Sequence, residues 1–211
     1  MQINFKRALI LAPHTDDGEF GCGGTISRLI ENGCECFYTA FSVCEQSVPY
    51  GFKKDQLEHE LYDAMSVLGI KKENIIVHRF EVRHFPEHRQ KILQKIIDYK
   101  QKINPDIVFL PSPKDMHQDH QVISAEGLRA YKNTNVLAYE VPWNNLNFNT
   151  AAFIEINQDH LIKKINALKC YKTQEFRHYA SPKFIESLAM TRGVQIGCDF
   201  AEVFEPLRMI I

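Results

Sequence analysis

The chain has 211 residues, of which 45% are hydrophobic and 24% are charged, proportions typical of a globular protein that buries a full core. Its formal net charge of −1 argues against a nucleic-acid partner, because phosphate contacts require a clustered basic surface. No apolar run approaches the roughly 20 residues of a transmembrane segment, and the start lacks a signal peptide's apolar run. The six cysteines form no CxxC pair. We therefore expect residues 1–211 to form a single cytoplasmic domain.

Short apolar runs alternate with longer amphipathic segments. The predicted strands cover residues 8–12, 35–41, 75–80, 107–110, 136–141 and 153–156. The predicted helices cover about residues 23–32, 54–68, 88–103, 119–131, 158–171 and 182–191. This alternation predicts an α/β fold with a mostly parallel sheet and helices on both faces. In such sheets ligands bind beyond the carboxyl ends of strands, which directs attention to the loops at 13–21 and 111–118.

The first loop places His14, Asp16, Asp17 and Glu19 directly after an apolar strand. Its glycines are not spaced as GxGxxG and no GK[ST] follows, which disfavours a dinucleotide site. Helix capping and the helix dipole would account for one or two of the carboxylates. Three carboxylates and a histidine exceed that need, so the loop is a candidate active site. The glycine pair at 23–24 would then let the backbone pass close to a metal or substrate.

The second loop contributes Asp115, His117, Asp119 and His120. The two histidines are three residues apart and would share one face if a helix begins there. An HxxH pair alone is a weak signal, but the fold places both loops at the same end of the sheet. Two histidines and one carboxylate with an open position form the pattern of a catalytic zinc.

A metal centre would explain why the first loop has two adjacent aspartates. One of Asp16 and Asp17 would bind the ion while the other acts as general base toward a water, which indicates metal-assisted hydrolysis. The residues alone do not decide between Asp16 and Asp17, or between His117 and His120. Iron or cobalt could also bind similar ligands.

Two stretches resemble motifs of a known family. "PHTDDGEFGCGGT" is similar to the first motif of the PIG-L/LmbE-like zinc deacetylases, and "DMHQDH" is similar to their second motif. "NPDIVFLPSP", "KCYKTQ" and "DFAEVF" are further similarities, so the resemblance covers nearly the whole chain. It implies a Rossmann-like, single-domain three-layer sandwich. It also implies removal of an acetyl group from an N-acetylglucosamine-like sugar or its conjugate.

The resemblance also implies roles for particular residues. Asp16 would be the general base, and His117 would stabilise or protonate the reacting group, oriented by Asp119. Relatives often self-associate, so a homo-oligomer is a further expectation. The implied partner is a small N-acetyl amino sugar or glycoconjugate, and the implied cofactor is Zn²⁺. Its ligands would be His14, Asp17 and His120.

The sequence departs from the family pattern in several places. Thr15 stands where many relatives carry proline, and residues 42–51 lack an expected arginine signature, which leaves the substrate open. The loop at 142–149 carries the only tryptophan, and either sugar stacking or an ordinary polar loop explains it. Three basic side chains after the third strand could meet a phosphate or sugar hydroxyls, or be surface charge: Arg83, His84 and Arg89.

Two alternatives to a sugar deacetylase stay open from the sequence. One is a zinc amidase or esterase that acts on a non-sugar acyl group. The other is a non-catalytic sugar- or nucleotide-binding module in which the carboxylates only cap the helix. The latter predicts no bound metal.

Overall fold

The computed structural model of the chain describes residues 5–210. Within this range the strands are β1 (Arg7–Ala12), β2 (Glu35–Ala40), β3 (Ile75–Val77), β4 (Ile107–Pro111), β5 (Asn135–Tyr139), β6 (Ala152–Ile156) and β7 (Phe200–Arg208). The helices are α1 (Asp17–Glu31), α2 (Gln56–Leu68), α3 (Arg89–Ile103), α4 (Gln118–Ala130), α5 (Gln158–Leu168) and α6 (Pro182–Val194). No helix in residues 5–210 combines the length and apolar character needed to cross a bilayer.

The strands form one sheet in the order β3-β2-β1-β4-β5-β7-β6. The first five strands in this order are parallel, and β7 is antiparallel to both β5 and β6. The chain winds from β1 toward β3 in one direction and from β4 toward β5 in the other. The winding therefore switches between β1 and β4, which is where ligands bind in sheets of this type.

Apolar side chains cover both faces of the sheet. On one face, Ile26 of α1, Leu61 of α2 and Ala167 of α5 belong to one buried cluster. On the other face, Ile96 of α3 and Ile123 of α4 belong to a second cluster. Helices α1 and α4 lie against the sheet, while α5 packs mainly on α1 and α2, and α3 packs on α4. The predicted α/β fold, a mostly parallel sheet between two helical layers, is confirmed.

Helix α1 begins at Asp17, six residues before its predicted start. The glycines of this turn weaken a helical prediction because glycine disfavours helix interiors. The structure needs them for close packing: a Cβ at Gly18 would lie 2.5 Å from the Tyr38 ring, and one at Gly21 would lie 2.3 Å from the Tyr139 ring. The first turn of α1 thus sits directly on the sheet.

The glycine pair at 23–24 serves packing and does not approach the candidate metal site, which corrects the prediction. Helix α1 is kinked at Cys22, whose φ is −149°. Glu202 of β7 accepts the N–H groups of Gly24 and Thr25 at 3.0 and 2.6 Å, so it caps the second half of the helix. A Cβ at Gly24 would lie 2.7 Å from Ile156. Lys164 pairs with Glu202 and donates to the carbonyl of Phe20 at 2.7 Å.

Candidate metal centre

Two loops meet at the carboxyl end of the sheet. Residues 13–16 connect β1 to α1, and residues 112–117 connect β4 to α4. Strands β1 and β4 are parallel neighbours, with Leu9 beside Val108, so their loops emerge side by side. The two segments that the sequence singled out are therefore adjacent at the switch point of the sheet.

Three atoms able to bind a metal, one each from His14, Asp17 and His120, converge between these loops and are here called the ligand cluster. Oδ2 of Asp17 lies 3.0 Å from Nδ1 of His14 and 3.2 Å from Nε2 of His120. The two nitrogens are 3.3 Å apart. Atoms bound about 2.0–2.1 Å from a tetrahedral zinc lie roughly 3.3 Å from one another. The donor set and its spacing therefore fit one zinc ion, with a position left for water or substrate.

A buried carboxylate faces the other nitrogen of each of these two rings. Asp119 Oδ2 lies 3.0 Å from Nε2 of His14, and Asp115 Oδ2 lies 2.8 Å from Nδ1 of His120. Carboxylates in this position fix the tautomer and orientation of a metal-binding histidine. Asp115 had no role in the sequence interpretation, because the spacing in its loop does not reveal which carboxylate faces which ring.

His117 lies beside the three ligand atoms and caps α4. Its Nδ1 accepts the backbone N–H of Asp119 at 3.2 Å, so the main chain of Asp119 orients it while the carboxylate turns to His14. Burial and the charge of His14 lower the pKa of His117 to about 4. The neutral ring therefore carries its proton on Nε2. One ring nitrogen from each of His14, His117 and His120 lies within 4.8 Å of the others, so these three histidines form a group that could hold a metal ion.

Asp16 is the carboxylate of the first loop that neither caps the helix nor joins the ligand cluster. It occupies the N-cap position of α1 but makes no side-chain capping hydrogen bond. It is partly exposed and lines the cavity beside His14 and Asp17. Burial and the charge of Asp17 raise the pKa of Asp16 to about 6. This carboxyl is therefore suited to exchanging a proton near neutral pH.

The ligand cluster favours positive charge. Burial lowers the pKa of His14, but Asp17 and Asp119 outweigh this and raise it to about 9. Burial also opposes the charged form of His120, yet Asp17 and Asp115 raise its pKa to about 10. The two histidines in turn hold the pKa of Asp17 well below its usual range against the effect of burial. The same carboxylates that retain these protons would stabilise a divalent cation.

Glu19 is connected to the first loop through two tyrosine side chains. Tyr38 and Tyr171 donate to the carbonyl of Thr15 at 3.0 and 2.7 Å, and both hydroxyls also contact the Glu19 carboxyl. Burial raises the pKa of Glu19 to about 8, so it is protonated at neutral pH and supplies one more proton to the network. Tyr171 belongs to the "KCYKTQ" segment, and its contact with Thr15 gives that segment a structural role.

A cavity of about 320 Å³ opens onto the centre. Trp143 lines it, stacked on Tyr179 with ring centroids 3.9 Å apart, so the tryptophan loop is part of the site. Of the three basic residues that the sequence left open, Arg83 lines the cavity, whereas His84 and Arg89 are not among its lining residues and contact Glu87 and Glu126. Sequence reasoning missed three lining residues after α5, whose distance along the chain hides their proximity: Gln174, Arg177 and Tyr179.

Comparison with known proteins places this geometry in a family. The chain is 26% identical to the diacetylchitobiose deacetylase of Thermococcus kodakarensis in an alignment that covers 95% of this chain and 74% of that protein. The N,N'-diacetylchitobiose deacetylase of Pyrococcus horikoshii has a similar structure, with a TM-score of 0.79, 21% identity and coverage of 96% of this chain and 84% of that one.

A third similar structure is GalB, the 4-carboxy-2-hydroxymuconate hydratase of Pseudomonas putida, with a TM-score of 0.80, 20% identity and coverage of 98% of both chains. At these identities the structural matches establish the fold, which carries more than one chemistry. Residues 9–131, more than half of the chain, match the family model described as PIG-L, GlcNAc-PI de-N-acetylase. The chain therefore belongs to the PIG-L family.

Proposed function

We propose that this protein is a zinc-dependent hydrolase that removes the N-acetyl group from an N-acetylated amino sugar or its conjugate. The convergence of His14 Nδ1, Asp17 Oδ2 and His120 Nε2 at 3.0–3.3 Å, beside the uncommitted carboxylate of Asp16, carries this proposal. Membership of the PIG-L family and relatives named as deacetylases of N-acetyl sugars support it.

In this proposal His14, Asp17 and His120 hold the zinc ion, while Asp115 and Asp119 keep the two imidazole rings in place. When bound, zinc supplies a Lewis acid that polarises the acetyl carbonyl and lowers the pKa of a water to about 7. The remaining chemistry falls to side chains that line the cavity.

Asp16 acts as the general base. It takes a proton from the attacking water as the oxygen bonds to the carbonyl carbon, and the carbonyl electron pair moves onto its oxygen. The neutral His117 ring donates its Nε2 proton in a hydrogen bond to this developing oxyanion. Asp16 then delivers its proton to the amine nitrogen as the C–N bond breaks, which releases acetate and a free amino sugar. A carboxyl with a pKa of about 6 can perform both transfers near neutral pH.

The alternatives differ in what they require of the site. A non-catalytic module requires carboxylates that cap the helix, and Asp16 makes no capping hydrogen bond. A simple amidase or esterase requires only a small acyl pocket. The polar cavity bordered by Trp143 and Gln174 provides aromatic and hydrogen-bonding surface suited to a sugar ring.

Metal analysis and acetate release test the proposal together. We expect about one zinc per chain, lost in His14→Ala and His120→Ala, because three protein ligands form a catalytic zinc site. The zinc-loaded protein should release acetate from N-acetylglucosamine conjugates faster than from simple N-acyl amines. Equal rates on both classes would favour the amidase alternative. The absence of zinc uptake or of acetate release would refute the proposal.

A further inference from the structure

Two arginines of the cavity have no carboxylate partner. Arg83 and Arg177 both line the space in front of the metal centre. Within residues 5–210, neither has a carboxylate oxygen within 4 Å, whereas Arg89 and Arg192 pair with Glu126 and Glu140. Guanidinium groups stay charged at all physiological pH values, so both carry a positive charge into the cavity.

Arg177 is held in place by neutral groups. Its Nε donates to Oε1 of Gln174 at 2.6 Å, and its guanidinium lies 5.6 Å from the ring centre of Tyr179 and 5.1 Å from that of Phe176. Tyr179 is itself stacked on Trp143. Arg177 uses its Nε for positioning and has no carboxylate partner within 4 Å in residues 5–210, so its guanidinium can bind a planar anion, which such a group holds through two parallel hydrogen bonds.

Arg83 is anchored through its backbone. Its φ of 73° is rare for a residue with a side chain, and its N–H donates to Oδ2 of Asp119 at 2.6 Å. Such backbone persists only where the surroundings fix it, and this occurs most often at functional sites. The side chain reaches Ser47 on the other loop of the cavity rim, with Nη2 at 3.2 Å from Oγ.

We propose that the substrate carries an anionic group, a carboxylate or a phosphate, which Arg177 and Arg83 bind. This inference rests on the proposed function, because it names a feature of the substrate of the same site. Asp17 belongs to the ligand cluster, and Asp16, although close enough to interact with the charge of Arg177, forms no ion pair within 4 Å with either arginine in residues 5–210. An anion on the substrate supplies the missing charge and would orient the sugar before the acetyl group reaches Asp16.

Equilibrium binding of deacetylated sugars tests the inference without catalysis. The probes are methyl glucosaminide, the glycolic acid glycoside of glucosamine and glucosamine 1-phosphate, titrated into the zinc-loaded protein by calorimetry. We expect one of the two anionic sugars to bind about tenfold more tightly, or better, than the neutral glycoside, since a charge-assisted bidentate pair contributes on this scale. The stronger of the two anionic probes identifies the group.

Variants assign the preference to the two arginines. For Arg177→Gln, the dissociation constant of the neutral probe divided by that of the preferred anionic probe should be close to one. Arg177→Lys should retain part of the preference, because an ammonium keeps the charge but loses the planar fork. Arg83→Gln should lower the ratio, and Arg129→Gln, an exposed arginine outside the cavity, should leave it unchanged. Equal affinity for all three probes in the unmodified protein, or a preference that survives both Arg177→Gln and Arg83→Gln, would overturn the inference.

The failure of this inference can be told apart from that of the proposed function. Acetate release from a neutral N-acetylglucosaminide, without any preference for anionic ligands, removes the anion site and leaves the deacetylase. No acetate release from any N-acetyl sugar removes the deacetylase and with it the substrate to which this anion was assigned.

Discussion

The carboxylate of Asp119 lies 3.0 Å from Nε2 of His14, whose other ring nitrogen lies 3.0 Å from Asp17. One imidazole ring therefore connects the ligand cluster to a fully buried carboxylate. Asp119 also accepts the backbone N–H groups of Arg83 and Phe85, at 2.6 and 3.2 Å. A single side chain thus ties the loop after β3 to the orientation of a proposed metal ligand.

Asp119→Asn should weaken zinc binding about 10- to 100-fold without removing a ligand, since loss of an orienting carboxylate costs affinity on this scale. The two backbone N–H groups bond to different carboxylate oxygens, so the single amide oxygen can keep only one of these hydrogen bonds, and we also expect a loss of stability. Competition with a zinc chelator measures the affinity, and urea unfolding measures stability. Asp63→Asn, on the exposed face of α2, is the matched control. Wild-type zinc affinity in Asp119→Asn would contradict the proposed role of the carboxylate.

Asp16→Asn should lower the turnover number about 10²- to 10⁴-fold, the usual cost of removing a general base. Zinc content should stay near that of the unmodified protein, because Asp16 is outside the ligand cluster. Asp17→Asn should instead lose zinc. Parallel measurement of bound zinc and acetate release separates the two effects. Full activity in zinc-loaded Asp16→Asn would show that another group moves the proton.

The alternating pattern of strands and helices was sufficient to predict the layers and the meeting of the two loops. Periodicity identifies an element, and the switch-point rule then locates the site without side-chain detail. Strand β7 escaped prediction because Glu202 and Glu205 interrupt its apolar pattern, although both are buried. Glu202 caps the kinked helix, and Glu205 accepts from Ser112 and Lys114 at 2.9 Å. The partners of both carboxylates are distant in sequence, so the sequence pattern does not reveal what the two side chains contact.

The contacts inside the site were less predictable than its location. The spacing of "DMHQDH" places Asp115 and Asp119 near the histidines but does not say that each faces a different ring. The rotation of each side chain decides that, and it depends on backbone groups such as the N–H of Arg83. Arg177 and Tyr179 come from a segment with irregular turns, where no periodicity marks a functional face.

Zinc binding at neutral pH should release protons, because the pKa values of His14 and His120 are raised to about 9 and about 10 by neighbouring carboxylates that outweigh burial. Both rings are then protonated at pH 7 and must lose a proton each to bind a metal. We expect the two rings to contribute about two protons per zinc at pH 7, decreasing toward none above the higher pKa, in addition to the proton that a zinc-bound water of pKa about 7 releases. Calorimetry in buffers of different ionisation enthalpy gives the number.

Exposed His59 provides the matched control for this proton count, since His59→Gln should release as many protons as the unmodified protein. His120→Ala, which should lose the zinc site, should release few or no protons in the same titration. A zinc titration that releases no protons at pH 7 would mean that the two ligand histidines are already neutral. The carboxylates around them would then not create the preference for positive charge.

The free energy of unfolding of Glu19→Gln should increase relative to that of the unmodified protein as the pH rises. In the folded protein burial raises the pKa of Glu19 from 4.5 to about 8. Protonation of Glu19 therefore makes its full contribution to the free energy of unfolding below the unfolded pKa of 4.5. This contribution is lost as the pH rises through the folded pKa of about 8. Glutamine does not titrate, so the unfolding free energy of Glu19→Gln minus that of the unmodified protein should increase between pH 5 and pH 8. We expect an increase of about 1 kcal/mol or more, since one pKa unit corresponds to about 1.4 kcal/mol.

Urea unfolding of both proteins at pH 5, 6.5 and 8, with chelator present, measures this difference. Titration of His14 and His120 affects both proteins and cancels in the comparison. Glu73→Gln, at an exposed position, should show a difference that does not vary with pH. A difference for Glu19→Gln that is constant, or that decreases toward pH 8, would show that Glu19 is ionised when folded. The tyrosine network behind Thr15 would then have to hold a buried negative charge next to the metal centre.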